Sequence, residues 1–338
     1  MRAEGAAKCY SVAAMPLPML GQAPAEKPEP APSAADPADE TTPFAEAIVD
    51  PTVGAHVDSN ADRDATDAHE TETTYRTHRR FDRAARLFGE RGLARLDRAR
   101  VMVIGVGGVG SFAAEALARS GVGTIVLVDF DKVCITNTNR QLHAMKGTVG
   151  KRKVDVMAER LRLVHPTSTV EAVPEFYAEA TSEKLLATRP DFVIDAIDNL
   201  TAKAHLVATC VAKKIPVVSS MGAAARLDPT QIEVADLAET QKDPFARALR
   251  KILRQKYGFD LDAPIGVPAV FSREEPLEPI APSYDEGVGF QCVCPGGKNG
   301  LNDCDRKARI DGTASFVTGA FGLAAASVVV RGLIGERG

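Results

Sequence analysis

A glycine run, Gly105-Val106-Gly107-Gly108-Val109-Gly110-Ser111, is followed along the chain by Asp129, Asp131, Asn137, Arg140, Gln141, Lys153 and Asp198. These are residue types that handle phosphate. Glycines let the backbone approach phosphate oxygens, and the free N–H groups at a helix start donate to them. An acid at the end of the following strand, here Asp129, is placed to hold ribose hydroxyls. These two features alone fit NAD. The stretch Val128–Gln141 adds what a plain NAD-binding domain does not need: two asparagines, an arginine and a glutamine behind the acid. An enzyme that breaks ATP between the α- and β-phosphates must stabilise charge on the transferring phosphoryl centre, and Arg and Lys clamps do this. Arg140, flanked by Asn137 and Asn139, and Lys153 in Gly150-Lys151-Arg152-Lys153 are the candidates. Each alone is more often a solvated surface cation; behind this strand and together they read as a clamp.

The pair Asp195-Ala196-Ile197-Asp198-Asn199 ends another apolar run. Ligands of open α/β sheets bind beyond the carboxyl ends of strands. Asp198 is therefore a candidate for Mg2+, which takes carboxylates together with phosphate oxygens. Either residue of Asp198-Asn199 could instead cap the next helix; the reading favours Asp198 for metal and Asn199 for the cap.

The elements that must position these residues are legible as alternating strands and helices. Ala99–Gly105, Thr124–Asp129, Thr169–Glu175, Asp191–Asp198 and Pro216–Ser220 read as strands. Helical spacing fills the gaps: a helix stopping at Gly121, one closed by Pro166 and one over "KAHLVATCVAKKI". "TQIEVADL" reads as a later strand. Alternation of this kind predicts a Rossmann-like, mostly parallel sheet with helices on both faces, followed by a mixed C-terminal extension. "PFARALRKILRQKYG" predicts an amphipathic basic helix bearing Arg247, Arg250, Lys251, Arg254 and Lys256. Residues 312–330 carry no charge and sit at the lower limit of membrane-spanning length, but their Gly, Ala, Ser and Thr content suits a buried helix.

Composition divides the 338 residues in two. Residues 1–75 hold 4 Lys/Arg against 14 Asp/Glu and many Ala and Pro, whereas the whole chain has a net charge of −4, so residues 76–338 are net positive. Such an acidic, apolar-poor tail is expected to be disordered, because it cannot bury enough surface to offset its ordering entropy. A signal peptide is not expected: Glu4 lies in the would-be basic region, and Pro16 and Pro18 interrupt the apolar run. Six scattered cysteines suit a reducing, cytoplasmic setting. Cys292, Cys294 and Cys304 do not make the two Cys-x-x-Cys pairs of a structural zinc site, and no zinc is expected.

Taken in order, Gly-x-Gly-Gly-x-Gly-Ser, Asp-x-Asp-x-Val, Asn-x-x-Arg-Gln, Gly-x-x-Lys and Asp-x-x-Asp-Asn resemble the ubiquitin-activating (E1-like) adenylation fold shared by the ThiF, MoeB and HesA proteins. Arg80-Phe81-Asp82-Arg83 and Leu87-Phe88-Gly89 resemble that family's N-terminal helix. The resemblance implies ATP and Mg2+: Asp129 on ribose, Asn137, Arg140 and Lys153 on phosphates, and Asp198 on the metal. It also implies a homodimer, in which Arg83 reaches the other subunit's ATP. "VCITNTNRQLHA", "DPTQIEVADLAETQKDP" and "VFSREEP" are similar to the tRNA threonylcarbamoyladenosine dehydratase branch, over about Arg80 to Arg331. That branch implies ATP-dependent, ligase-type activation of the threonylcarbamoyl carboxylate on tRNA adenosine 37, then cyclisation with loss of AMP. The substrate closes on itself, so no catalytic cysteine is assigned. The positive body suits RNA phosphates, although a basic helix is equally an ordinary solvated face. Three other readings remain at this point: adenylation of a sulfur-carrier protein by the same fold, an NAD-dependent oxidoreductase, and a non-catalytic scaffold in which Arg140, Lys153 and Asp198 are idle. A monovalent cation and a sulfur-relay partner are left open.

Overall fold

Runs of Val, Ile and Leu bounded by Gly, Pro or Asp can bury both faces only inside a sheet covered by helices. They do so in the computed structural model, which describes residues 79–282 and 310–335. The strands are β1 (Arg100–Ile104), β2 (Thr124–Val128), β3 (Thr169–Val173), β4 (Phe192–Asp195), β5 (Val217–Ser220), β6 (Ile232–Asp236) and β7 (Pro268–Ser272), in the sheet order β3-β2-β1-β4-β5-β7-β6. All neighbouring strands are parallel except β6, which runs antiparallel to β7. Chain order runs outward from β1 to β3 and then reverses through β4, so a crevice opens beyond the carboxyl ends of β1 and β4.

The helices are α1 (Asp82–Arg98), α2 (Gly110–Arg119), α3 (Lys153–Val164), α4 (Glu179–Leu186), α5 (Leu200–Lys213), α6 (Pro244–Tyr257) and α7 (Ser315–Ile334). One core joins α1, α2, α3 and α7 through residues such as Leu93, Leu117, Met157 and Phe321; a second joins α4, α5 and α6 through Leu185, Leu206 and Leu249. The sheet separates the two. Local signals explain the helix ends. Asn199 caps α5 by accepting the Ala202 N–H at 3.0 Å, and Asp243 caps α6 by accepting the Ala246 N–H at 2.9 Å, with Pro244 at the first turn. The α1 segment breaks at Gly89, whose φ of 73° is accessible to glycine without strain.

By length and composition α7 could cross a membrane, yet 61% of its apolar window is buried. Its small residues explain the fit. A Cβ at Gly322 would sit 2.3 Å from the Val109 carbonyl oxygen, and one at Gly319 would sit 3.1 Å from the Phe112 ring, so both glycines admit α2.

The strands and helices named from the sequence are all present. Two elements were not named. α4 is short, and β7 is an apolar run of five residues, a length that periodicity alone cannot assign. The missing β7 matters, because it wedges between β5 and β6 and makes the sheet mixed. The expectations for residues 1–75 and for Cys292, Cys294 and Cys304 fall outside the described residues.

Candidate active site

The turn from β1 into α2 forms the floor. Gly105 has φ +90°, and a Cβ there would lie 2.6 Å from the Ala196 carbonyl oxygen; a Cβ on Gly110 would lie 1.8 Å from the Gly105 oxygen. Only glycine fits either position, and the loop is pressed against the turn that follows β4. Ser111 is buried, and its hydroxyl accepts the Leu142 N–H at 3.4 Å, which braces this loop from behind.

Asp129 ends β2 and is nearly buried. Its two carboxylate oxygens accept the N–H groups of Val106 (2.7 Å) and Asp131 (2.8 Å), so it latches the glycine loop. Burial raises its pKa above the ordinary carboxylate value, against the pull of Lys153. Lys153 opens α3 directly opposite. The short segments 131–133 and 150–153 are zipped by Val133 N–H to Lys151 O (2.8 Å), Gly150 N–H to Val133 O (2.9 Å) and Lys153 N–H to Asp131 O (3.0 Å). This register brings Lys153 Nζ to 2.8 Å from Asp131 Oδ2. Burial alone would lower the Lys153 pKa, but Asp129 and Asp131 outweigh it and hold the ammonium above its usual value.

The stretch behind Asp131 folds into a short 3-10 turn at Ile135–Asn137. Asn137 is buried, and its Oδ1 accepts the Cys134 N–H at 3.0 Å; its carbonyl accepts the N–H groups of Arg140 and Gln141. Asn137 therefore shapes the turn that carries Arg140. The half-buried Arg140 guanidinium donates to Thr136 O (2.9 Å) and Asn139 Oδ1 (3.0 Å). Asn139 in turn donates to Thr313 O at 2.9 Å. Arg140 Cγ would lie 3.4 Å from a Cβ on Gly108, so the side chain arches over the glycine loop. Burial lowers its pKa, with Cys134 and Asp198 acting in opposition. Gln141 packs toward Gly107, its Nε2 3.9 Å from the glycine's would-be Cβ.

Asp198 follows β4 and is exposed, with no ion pair or hydrogen bond from its carboxylate among the described residues. It sits in the field of three cations, Arg140, Lys153 and Lys203. No group of three or more His, Cys, Asp or Glu side chains able to hold a metal occurs among the described residues. One open carboxylate beside a phosphate-binding loop still fits Mg2+, which keeps several waters and takes one or two carboxylates plus phosphates.

Glycine loop, Asp129, Asp131, Arg140, Gln141, Lys153 and Asp198 thus converge at one crevice. Arg83 does not join them. It lies exposed on α1, one turn from the exposed Leu87. The basic helix also differs from its expected form. Arg250 turns inward and donates to Thr240 and to the Leu237 carbonyl, in the 3-10 turn that precedes α6. Arg254 pairs with Asp262 at 2.7 Å, and Lys256 Nζ stands 5.2 Å over the Tyr257 ring. Arg247 and Lys251 are exposed.

Three further residues belong to this region: Lys203 and His143 were not singled out from the sequence, and Asp195 was quoted in its motif without a role. Lys203 and Asp195 form a wholly buried ion pair beneath the crevice. The available signal was a lysine on the apolar stripe of α5, three and four residues before buried Leu206 and Val207. His143 is fully buried with neither ring nitrogen hydrogen-bonded, and burial together with nearby Lys153 pushes its pKa down to about 3, so it is neutral at physiological pH. Nothing in its spacing distinguishes it.

Glycine loop, strand-end acid and phosphate-side cations at a topological switch point define a nucleotide-binding α/β protein. The chain belongs to the ThiF family, whose model matches residues 81–337. It is 41% identical over 259 residues to the tRNA threonylcarbamoyladenosine dehydratase of Escherichia coli, covering 76% of this chain and 94% of that protein. It is 49% identical over 197 residues to the protein of the same name from Bacillus subtilis, covering 58% and 76%. Among solved structures it is similar to the E. coli tRNA N6-threonylcarbamoyladenosine dehydratase TcdA in complex with ATP, with TM-score 0.65 and 40% identity, covering 75% of this chain and 93% of that one. The molybdopterin-synthase adenylyltransferase of E. coli matches less of the chain, at 36% identity over 137 residues and 40% of its length.

Proposed function

We propose that this protein catalyses the ATP-dependent dehydration of N6-threonylcarbamoyladenosine at position 37 of tRNA. The observation that carries the reading is the near full-length similarity to the E. coli dehydratase, joined to a crevice in which Arg140, Lys153 and Asp198 face one glycine loop. ATP lies with its ribose at Asp129 and its phosphates along the glycine loop. A carboxylate oxygen of the substrate attacks the α-phosphorus, and the bond to pyrophosphate breaks. The neighbouring carbamoyl group then attacks the acyl carbon of the adenylate, loses a proton and expels AMP. Arg140 and Lys153 hold the charge that develops on the phosphoryl oxygens. Asp198 holds Mg2+, which when bound neutralises phosphate charge. The sulfur-carrier reading is weaker, since the two Cys-x-x-Cys pairs typical of that branch are absent from the chain. Action on tRNA and the scattered cysteines support a cytoplasmic reading.

Two measurements test this. Purified protein given ATP and tRNA bearing the linear nucleoside should release AMP and pyrophosphate. Mass spectrometry of tRNA nucleosides from a deletion strain, under mild conditions, should lose the cyclic form. Retention of the cyclic nucleoside in the deletion strain, with no ATP turnover on that tRNA, overturns the proposal.

The tRNA approaches along α6. With Arg250 committed inward, the contacts fall to Arg247, Lys251 and Lys256, with Arg254 shared with Asp262. Changing Arg247, Lys251 and Lys256 together to Gln should flatten the log–log salt dependence of tRNA binding by about 0.7–0.9 per lost phosphate contact. Turnover at saturating tRNA and ATP affinity should stay near wild type. An unchanged slope in the folded triple variant moves the RNA surface elsewhere.

The active unit is a homodimer that shares its sites. Between α1, α2 and α7 runs an apolar groove of about 440 Å³, lined by Leu87, Phe88, Leu323, Val330 and Ile334. Leu87 and Leu323 are each more than half exposed, and Arg83 stands one helical turn from Leu87. A second copy covering this groove removes that apolar surface from water and carries Arg83 toward the other ATP site. Mixing Arg83→Ala with Asp198→Ala protein should restore part of the activity that each lacks alone. Absence of rescue in verified mixed dimers contradicts a shared site.

A further inference from the structure

The Lys203–Asp195 pair has no exposed surface on either side chain, with Nζ 2.7 Å from Oδ2. Lys203 Nζ also donates to Ser220 O at 2.9 Å and to Ser219 Oγ at 3.3 Å, and Ser219 Oγ donates to the same Asp195 oxygen at 2.6 Å. The other Asp195 oxygen accepts the Ile197 N–H at 3.1 Å. Stability does not account for such a pair. Desolvating two ions offsets most of their attraction, and apolar residues of the same volume often serve equally well. What apolar residues lack is direction, and this pair joins two backbone segments by name.

One segment is the turn 196–199, which bears Asp198 and presses Ala196 O against Gly105. The other is the end of β5 and the loop beyond it. There Gly222 N–H donates to Asp243 Oδ2 at 3.1 Å, and Asp243 lies 3.6 Å from the buried Arg226 guanidinium. Phe245 touches both halves, since its ring centroid is 5.8 Å from Lys203 Nζ and its Cβ would be 3.4 Å from a Cβ on Gly222. A shift at Lys203 therefore bears on the Asp198 turn and the start of α6.

We propose that Lys203, acting through Asp195, is a positioning residue that keeps the Asp198 turn in register with the loop after β5. The Asp198 turn and the loop beyond β5 then move as one unit. This rests on the reading of Asp198 as the Mg2+ residue. Lys203 touches no substrate. Its effect is on where Asp198 stands.

The test uses the full chain and reads ATP binding by calorimetry across a Mg2+ series, alongside melting temperature and turnover. Lys203→Met strands a buried carboxylate and is expected to fold poorly. The deciding variant is the double Asp195→Asn/Lys203→Met, which is neutral, keeps an acceptor for the Ile197 N–H and preserves volume. It should melt near wild type and bind ATP normally without Mg2+. Its half-saturating Mg2+ concentration should rise, and its turnover fall, by about 10–100-fold, as when residues that orient a ligand are changed. A purely structural pair would lower the melting temperature and leave the Mg2+ dependence of the folded protein unchanged. Wild-type Mg2+ dependence and turnover in the double variant overturn the proposal. Asp198→Asn separates the two levels. If Asp198→Asn itself leaves the Mg2+ dependence unchanged, the Asp198 reading fails and takes this proposal with it. If Asp198→Asn shifts it and the double variant does not, only the role of Lys203 fails.

Discussion

Arg140→Ala should lower turnover about 10²–10³-fold, the usual loss when one preorganised donor to a developing anion is removed, while ATP affinity changes little. The expectation follows from how the guanidinium is held. Thr136 O and Asn139 Oδ1 fix it from below, and its stem crosses Gly108, so no reorganisation is needed when charge develops in front of it. Burial lowers its pKa, the nearby Asp198 field opposes this, and a guanidinium remains a cation at any working pH. Arg140→Lys should recover only part of the loss, because an ammonium lacks the planar fork of donors. Steady-state kinetics with ATP and tRNA varied separately, together with calorimetric ATP titration, read the effect. A rise in the KM for ATP at unchanged kcat would mean that Arg140 binds ground state and transition state alike, and would remove it from the phosphoryl clamp.

Lys153→Met should damage two properties at once and allow them to be separated. Lys153 is 6% exposed and is the partner of Asp131, with Asp129 close behind. Its loss leaves carboxylates without their cation. The stability cost should fall toward the lower end of the roughly 3–5 kcal/mol typical of a broken buried pair, because Asp131 keeps some contact with water. Turnover should fall about 10²–10³-fold through loss of a phosphate donor. The double variant Asp131→Asn/Lys153→Met removes the stranded charge, and should recover most of the melting temperature while turnover stays low. Recovery of turnover along with stability would show that Lys153 serves only to neutralise Asp131. Denaturant melts and kinetics on the same preparations measure both.

Much of this site was legible because it is built from consecutive residues. Gly105–Ser111, Asp129–Gln141 and Gly150–Lys153 each combine a turn with the side chain it presents, so spacing alone carries position relative to a strand end. Asn199 was readable as a cap for the same reason: capping is decided within one helical turn. Asn137 illustrates a partial reading. Its place in the site was visible, but its oxygen is spent on the Cys134 N–H, a local bond that shapes the turn carrying Arg140. Arg250 was legible only as a cation on a basic helix. Whether it faces solvent or the 237–240 segment depends on the chain brought beside α6.

Most of the strands and helices, a nucleotide-binding turn and the candidates for the phosphate side are legible in the sequence by itself, because hydrophobic period, glycine geometry and capping act over a few residues; α4 and β7 are not. Tertiary structure alone decides which distant segments share one crevice. It inserts β7 between β5 and β6, a pairing that depends on sheet-wide hydrogen bonding. It also sets Lys203 of α5 under Asp195 of β4 and Ser219 and Ser220 of β5. A lysine is ordinarily an exposed residue, and only a fully assembled, water-free pocket with a carboxylate, a hydroxyl and a carbonyl converging on its three protons makes its burial tolerable.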